Sequence, residues 1–273
     1  MKRFAKPIAA ALALTLPLVA HAHRAWIVPA ATVLSNDDAW VGFDAAVSND
    51  IFHADHHPLR LDGVKAIGPD GKQLPLQNVA TGQYRSIFDL HLTQKGTYKV
   101  FSANDGLSAM WQENGERKFW PPRGAAFSQA EFDKAVPKSA DKLQITQSSR
   151  RLETFVTAGN PTDSVLKATG KGLELVPVTH PNDLFAGETA TFSLLIDGQP
   201  AVGAKVTVLP AGMRYRDSQQ AIEAVADKLG RFAITWPLAG QYYLEAQYQD
   251  DKANPPATQR RGSYAATFEV LPQ

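Results

Sequence analysis

The stretch Ser86-Ile-Phe-Asp-Leu-His-Leu-Thr93 decides the fold class. Phe88, Leu90 and Leu92 alternate with Asp89, His91 and Thr93. This period of two puts the apolar side chains on one face of a strand and the polar ones on the other. Similar alternation recurs outward in both directions, over residues 40–47, 98–102, 173–178, 189–196, 205–209, 232–236, 242–248 and 265–271. Turn signals separate the runs: Pro69-Asp-Gly71, Gln94-Lys-Gly96, Ile196-Asp-Gly198 and Ala239-Gly240. The reading is all-β, with short antiparallel strands arranged as β-sandwiches.

Helix is scarce. Residues 128–136 read as one short helix, opened by the capping box Ser128-Gln-Ala-Glu131 and closed by Pro137, and residues 218–226 as a second. Residues 103–127 read as a long loop insertion that packs Met110, Trp111, Phe119 and Trp120 across the first sandwich. The character of the sequence changes near residue 170, which predicts two β-sandwich domains, 23–170 and 171–273. The second contains Asp197-Gly-Gln-Pro-Ala-Val-Gly-Ala-Lys-Val-Thr-Val208 and resembles transthyretin-like and bacterial immunoglobulin-like modules.

Of the 273 residues, 44% are hydrophobic and 20% charged, as in ordinary globular proteins. Lys plus Arg number 28 against 27 for Asp plus Glu, so there is no basic excess to hold nucleic-acid phosphates. Residues 1–22 carry Lys2, Arg3 and Lys6, then an apolar run from Ile8 to Ala20, then Ala20-His21-Ala22. That pattern predicts a signal peptide cut before His23, with export to the periplasm. The apolar run is shorter than the ~20 residues a spanning helix needs, and no later segment reaches that length. Without the leader the balance becomes 25 basic against 27 acidic residues, a net −2. There is no cysteine, so neither disulfides nor thiol chemistry enter.

The concentrated chemistry is histidine. Three lie in Phe52-His-Ala-Asp-His-His-Pro58, where His53, His56 and His57 offer imidazoles and Asp55 a harder oxygen donor. A helix would gather the three histidines on one face. An extended segment would place His53, Asp55 and His57 on one side and His56 on the other. The competing reading is a solvated polar loop. His91 shares a strand face with Asp89, either as ligand and supporting carboxylate or as an exposed pair. His180, before Pro181, reads as a linker residue.

A cut before His23 would let one residue supply an α-amine and an imidazole, a chelate of the histidine-brace kind suited to copper or nickel. A cut before His21 would give His21-Ala-His23, which can wrap copper(II) or nickel(II) in a square plane. Trp26, Ile27 and Val28 read as a first strand that holds His23 near the sheet. No Gly-x-Ser-x-Gly, no Asp-x-Glu and no phosphate-cradling glycine motif occurs, which argues against hydrolase, lysozyme-like and nucleotide-binding readings.

Several segments in order carry a family resemblance: His23-Arg-Ala-Trp-Ile-Val-Pro29, Phe43-Asp-Ala-Ala-Val-Ser-Asn-Asp-Ile-Phe52, Gly68-Pro-Asp-Gly71, Lys95-Gly-Thr-Tyr98, and Asp183-Leu-Phe-Ala-Gly-Glu188 followed by Asp197-Gly-Gln-Pro-Ala201. Together they resemble the exported domain-of-unknown-function 4198 family over essentially the whole mature chain. The resemblance implies two exported sandwiches and a terminal histidine left by an Ala-x-Ala cut. It also implies a distant link to the metal-capturing part of nickel and cobalt uptake systems, where the terminal amine and a nearby histidine form the metal site. That component is membrane-embedded, so transport itself is not implied here.

The leading expectation is a non-enzymatic periplasmic protein that captures or delivers nickel, cobalt, copper or iron, serving a metal-uptake or reductase membrane complex. Its candidate ligands are His23, His53, Asp55, His56, His57 and His91. The alternatives are a structural or partner/glycan-binding β-sandwich that displays Trp111, Phe119 and Trp120, and a copper-dependent redox enzyme built on a histidine brace.

Overall fold

The alternation of residues 86–93 is realised as a strand in which Phe88, Leu90 and Leu92 are almost wholly buried, while Asp89 and His91 are half-buried on the other face. The computed structural model describes residues 23–36, 38–122, 125 and 127–273; the expected leader, 1–22, lies outside them.

In chain order the first strands are β1 (Arg24–Pro29), β2 (Val33–Leu34), β3 (Ala39–Ser48), β4 (His57–Pro58), β5 (Val64–Ile67), β6 (Gln73–Leu74), β7 (Gln77–Thr81) and β8 (Ser86–Leu92). Then come β9 (Gly96–Glu113), β10 (Glu116–Trp120), helix α1 (Gln129–Ala135), β11 (Asp141–Ala158) and β12 (Leu173–Pro177). The remainder are β13 (Thr189–Ile196), β14 (Gln199–Pro200), β15 (Lys205–Pro210), β16 (Ile222–Val225), β17 (Arg231–Thr235), β18 (Gly240–Asp250) and β19 (Gln259–Val270).

These form three sheets. The central one has ten strands and runs β16-β15-β18-β19-β11-β9-β5-β6, with β10 added to β9 and β2 to β11. Its middle joint, β11 with β19, is parallel. A five-stranded sheet, β1-β3-β8-β7 with β4 on β3, and a four-stranded sheet, β12-β13-β14 with β17 on β13, flank it.

Register shows that the flanking sheets lie on opposite faces. Leu152 pairs with Ala265 and Glu153 with Ala266, and side chains of directly paired residues share a face. Leu152 and Val156 pack with Ile27, Phe43 and Phe88 of the five-stranded sheet. Phe155, Ala266 and Phe268 pack with Phe192, Ile234 and Trp236 of the four-stranded one. A smaller cluster of Trp26, Ala46, Ile51, Leu209, Met213 and Tyr243 carries the five-stranded sheet over to β15 and β18. The architecture is all-β and sandwich-like, as alternation predicts.

Two local expectations are corrected. The loop insertion expected over 103–127 is, from 103 to 120, a strand arm: β9 continues through Glu113, pairs with β11 along its length and turns into the hairpin strand β10. Both faces of this arm are partly solvated, which removes the alternation that marks a half-buried strand. Trp111 and Trp120 are buried there with Phe132, Val136 and Ile145, while Phe119 is 64% exposed. Residues 218–226 are not helical but contain β16, an edge strand on β15, so sheet pairing overrides the helix preference of its Glu and Ala residues. The helix at 129–135 forms as read, with Ser128 Oγ accepting from Glu131 N at 3.5 Å.

Candidate metal centre

One end of the five-stranded sheet gathers three imidazoles. Arg24 of β1 pairs with Ser48 of β3, and His57 of β4 pairs with Val47, so the residue before β1 and those opening β4 meet beside the end of β3. His23 and His56 stack with centroids 3.8 Å apart and planes 11° from parallel. His57 follows at 4.8 Å from His56, tilted by 48°. All three are exposed.

The loop that brings them together is pinned from below. Trp26 Nε1 donates to Ser48 Oγ at 2.6 Å, and Ser48 Oγ donates to the Asp50 carbonyl at 2.6 Å. Ile51 is buried against the central sheet, and Phe52 turns the chain in the left-handed region, φ 58°. Arg24 reaches the other half of the molecule by two bonds to Glu245, at 3.2 and 3.0 Å, and Tyr243 donates to the Ala25 carbonyl at 3.1 Å. The start of β1 is therefore fixed on both sides.

The ring nitrogens differ in what they can offer. His57 Nδ1 lies 3.0 Å from the Pro58 carbonyl, which can only accept, so Nδ1 carries the proton and Nε2 keeps its lone pair. Second-atom bonding of this kind is the usual way a ligating histidine is oriented. His53 Nε2 instead accepts from Arg214 Nη1 at 2.6 Å, which occupies the lone pair a ligand would use.

Two other candidates are engaged elsewhere. Asp55 accepts from Asn49 N at 2.9 Å and from its Nδ2 at 3.3 Å, which staples the loop. His91 is opposite Trp40 on β3, seven residues from Val47, which puts it ~23 Å along the strand from His57. It stacks on Trp40 at 4.5 Å and contacts Asp38 Oδ1 at 2.5 Å, not Asp89, whose carboxylate accepts from Asn78. Among the described residues no group of three or more His, Cys, Asp or Glu side chains is placed to hold a metal ion. His23, His56 and His57 stand as neighbouring imidazoles.

His180, read as a linker residue, is half-buried in a polar seam. Asn182 N donates to its Nδ1 at 3.1 Å, so Nε2 carries the proton toward Thr97 Oγ1 at 2.9 Å. Thr97 Oγ1 in turn meets Thr157 Oγ1 at 3.0 Å, and Thr157 donates to Asn182 Oδ1 at 2.8 Å. Burial pushes the His180 pKa down, against opposing influences from the Thr162 backbone and the Asp163 and Asp183 carboxylates.

The fold and the exposed imidazole group define an all-β protein with a histidine-rich rim. Residues 20–250 match the family described as "Domain of unknown function (DUF4198)", and the chain belongs to that family. No curated protein matches it. Among solved structures, the D0-D1 domain of intimin shares 11% identity, covering 89% of this chain and 96% of its own, at TM-score 0.21. The human OSCAR ligand-binding domain shares 11%, covering 91% and 99%, at 0.19, and a marsupial T cell receptor 8%, covering 92% and 73%, at 0.21. Overlaps this loose carry no functional information. Among the described residues no helix is long and apolar enough to cross a membrane.

Proposed function

We propose that the chain, processed to begin at His23, is an exported binding protein for a divalent transition metal, nickel, cobalt, copper or iron, and hands it to a membrane uptake or reductase complex. The observation that carries this reading is the His23–His56 stack at 3.8 Å, which sets the residue of the new terminus against a second imidazole. Cleavage would convert the His23 backbone nitrogen from an amide into an amine, adding a donor to Nδ1 of the same residue. His56 and the lone pair of His57 Nε2 are alongside, and nitrogen donors of this type suit copper and nickel best. The metal would supply a bond between the terminus and the loop; the chain's own part is to hold β1 and the loop in place through Trp26, Ser48 and the Arg24–Glu245 pair.

The test uses protein whose N-terminal residue is verified as His23 by mass spectrometry. Titration with copper(II), nickel(II), cobalt(II) and zinc(II) should reveal one tight equivalent of at least one ion. A single Gly placed before His23, which retains every side chain but moves the amine, should weaken that site. Absence of any bound metal in the verified protein overturns the reading.

A further inference from the structure

Beside the imidazole group lies an open cavity of about 480 Å³ lined by Phe52, His53, Ala54 and the turn Gly82, Gln83, Tyr84, Arg85. Its size is within the range of small-molecule sites. No lining residue is acidic, and its polar edge is cationic. Arg85 is there, held by one contact of 3.3 Å to Asp44, and Arg214, in the turn Met213–Tyr215, lies outside the lining and is joined to it through His53.

Arg214 is the unusual member. It is exposed, and among the described residues its partner is a neutral imidazole rather than a carboxylate. A guanidinium has five donors and no acceptor; one is spent on His53, and the others keep the planar fork that matches a carboxylate. Tyr215, next to it in the chain, is 86% exposed, and Tyr84 is an exposed ring in the lining of the cavity. One guanidinium and one phenol line the cavity and a second guanidinium is joined to it through His53, a donor set that suits a small organic anion. Because His53 belongs to the same loop as His56 and His57, that anion would sit next to the imidazoles.

We infer that the cavity flanked by Arg85 and Arg214 binds the carboxylates of a small polycarboxylate chelator, so that the metal reaches the histidines as a chelate rather than as a bare hydrated ion. This rests on the metal-binding reading above. It accounts for why His53, in the middle of the histidine cluster, is turned to a guanidinium: it orients Arg214 instead of ligating.

The experiment titrates verified His23-terminated protein with the metal that binds it alone, with citrate alone, and with the one-to-one metal–citrate complex, comparing wild type, Arg214→Ala and Arg85→Ala. Thermal unfolding checks that the variants are folded. Wild type should form a protein–metal–citrate species in native mass spectrometry, and Arg214→Ala should bind metal–citrate at least tenfold more weakly while binding the metal alone as well as wild type does. If citrate merely strips metal from wild type and variant equally, with no ternary species, the chelate proposal falls and the metal reading stands. If no form of the metal binds, both fall. A ternary species unaffected by either arginine substitution overturns the assignment of this cavity.

Discussion

His180 and the His23–His56–His57 group are imidazoles of one chain held in opposite ways. His180 has both ring nitrogens engaged, and its threonine and asparagine neighbours bond one another in a closed chain. The rim histidines are exposed, with His23 stacked on His56 and His57 tilted beside it, on a loop fixed through the backbone beneath them. Further along β11 and β9 from the His180 seam, Glu153 accepts from Arg151 at 3.2 Å and from the Tyr264 hydroxyl at 2.9 Å and lies 3.8 Å from Lys99, all four buried. Polar groups that are buried and mutually satisfied hold the sheets together, whereas those clustered at the surface contribute little to that cohesion.

The contrast can be broken most sharply at Glu153. Glu153→Ala leaves Arg151 and Lys99 without that carboxylate and should cost about 3–5 kcal/mol; urea unfolding measures it, and a loss below about 1 kcal/mol would put the buried network on a par with the rim. Thr157→Val removes the link between Thr97 and Asn182 and should cost about 1–3 kcal/mol by the same assay.

The pH dependence is a smaller effect with a definite sign. His180 binds a proton less readily folded than unfolded, where its value is near 6.5. Its contribution is therefore complete above that value and is lost as pH falls through it toward the lower folded one. Between pH 8 and pH 5 the wild type should lose more stability than His180→Gln does; equal losses would sever the seam from acid sensitivity.

At the rim the expected stability changes are least. His57→Ala and Arg214→Ala should each shift stability by no more than about 0.5 kcal/mol, while His57→Ala weakens metal binding in calorimetry. A larger stability loss would make the rim structural.

Period-two alternation made most strands legible, because each such strand has one face on a core. Leu90 and Phe192 announce themselves in this way. The arm of β9 and β10 gave no such signal, since only Ala109, Trp111 and Trp120 along it are deeply buried. The local histidine cluster was visible as composition, but its sorting was not. That His53 faces Arg214 depends on a contact 161 residues apart, and that His91 stands away from the cluster depends on β3–β8 register. His180 looked unremarkable beside Pro181 because its partners Thr97 and Thr157 come from other strands.

The parallel joint of β11 and β19 bears on how the molecule is made. Thr154 and Thr267, bonded across it, are 113 residues apart in the chain. Until the last strand emerges, β11 presents an open edge, and the widest sheet remains in two pieces. Non-local pairing of this kind is slow, and an unpaired edge invites association with other chains. A polypeptide arranged in this way stays unfinished, and in need of shielding, until synthesis has passed residue 270.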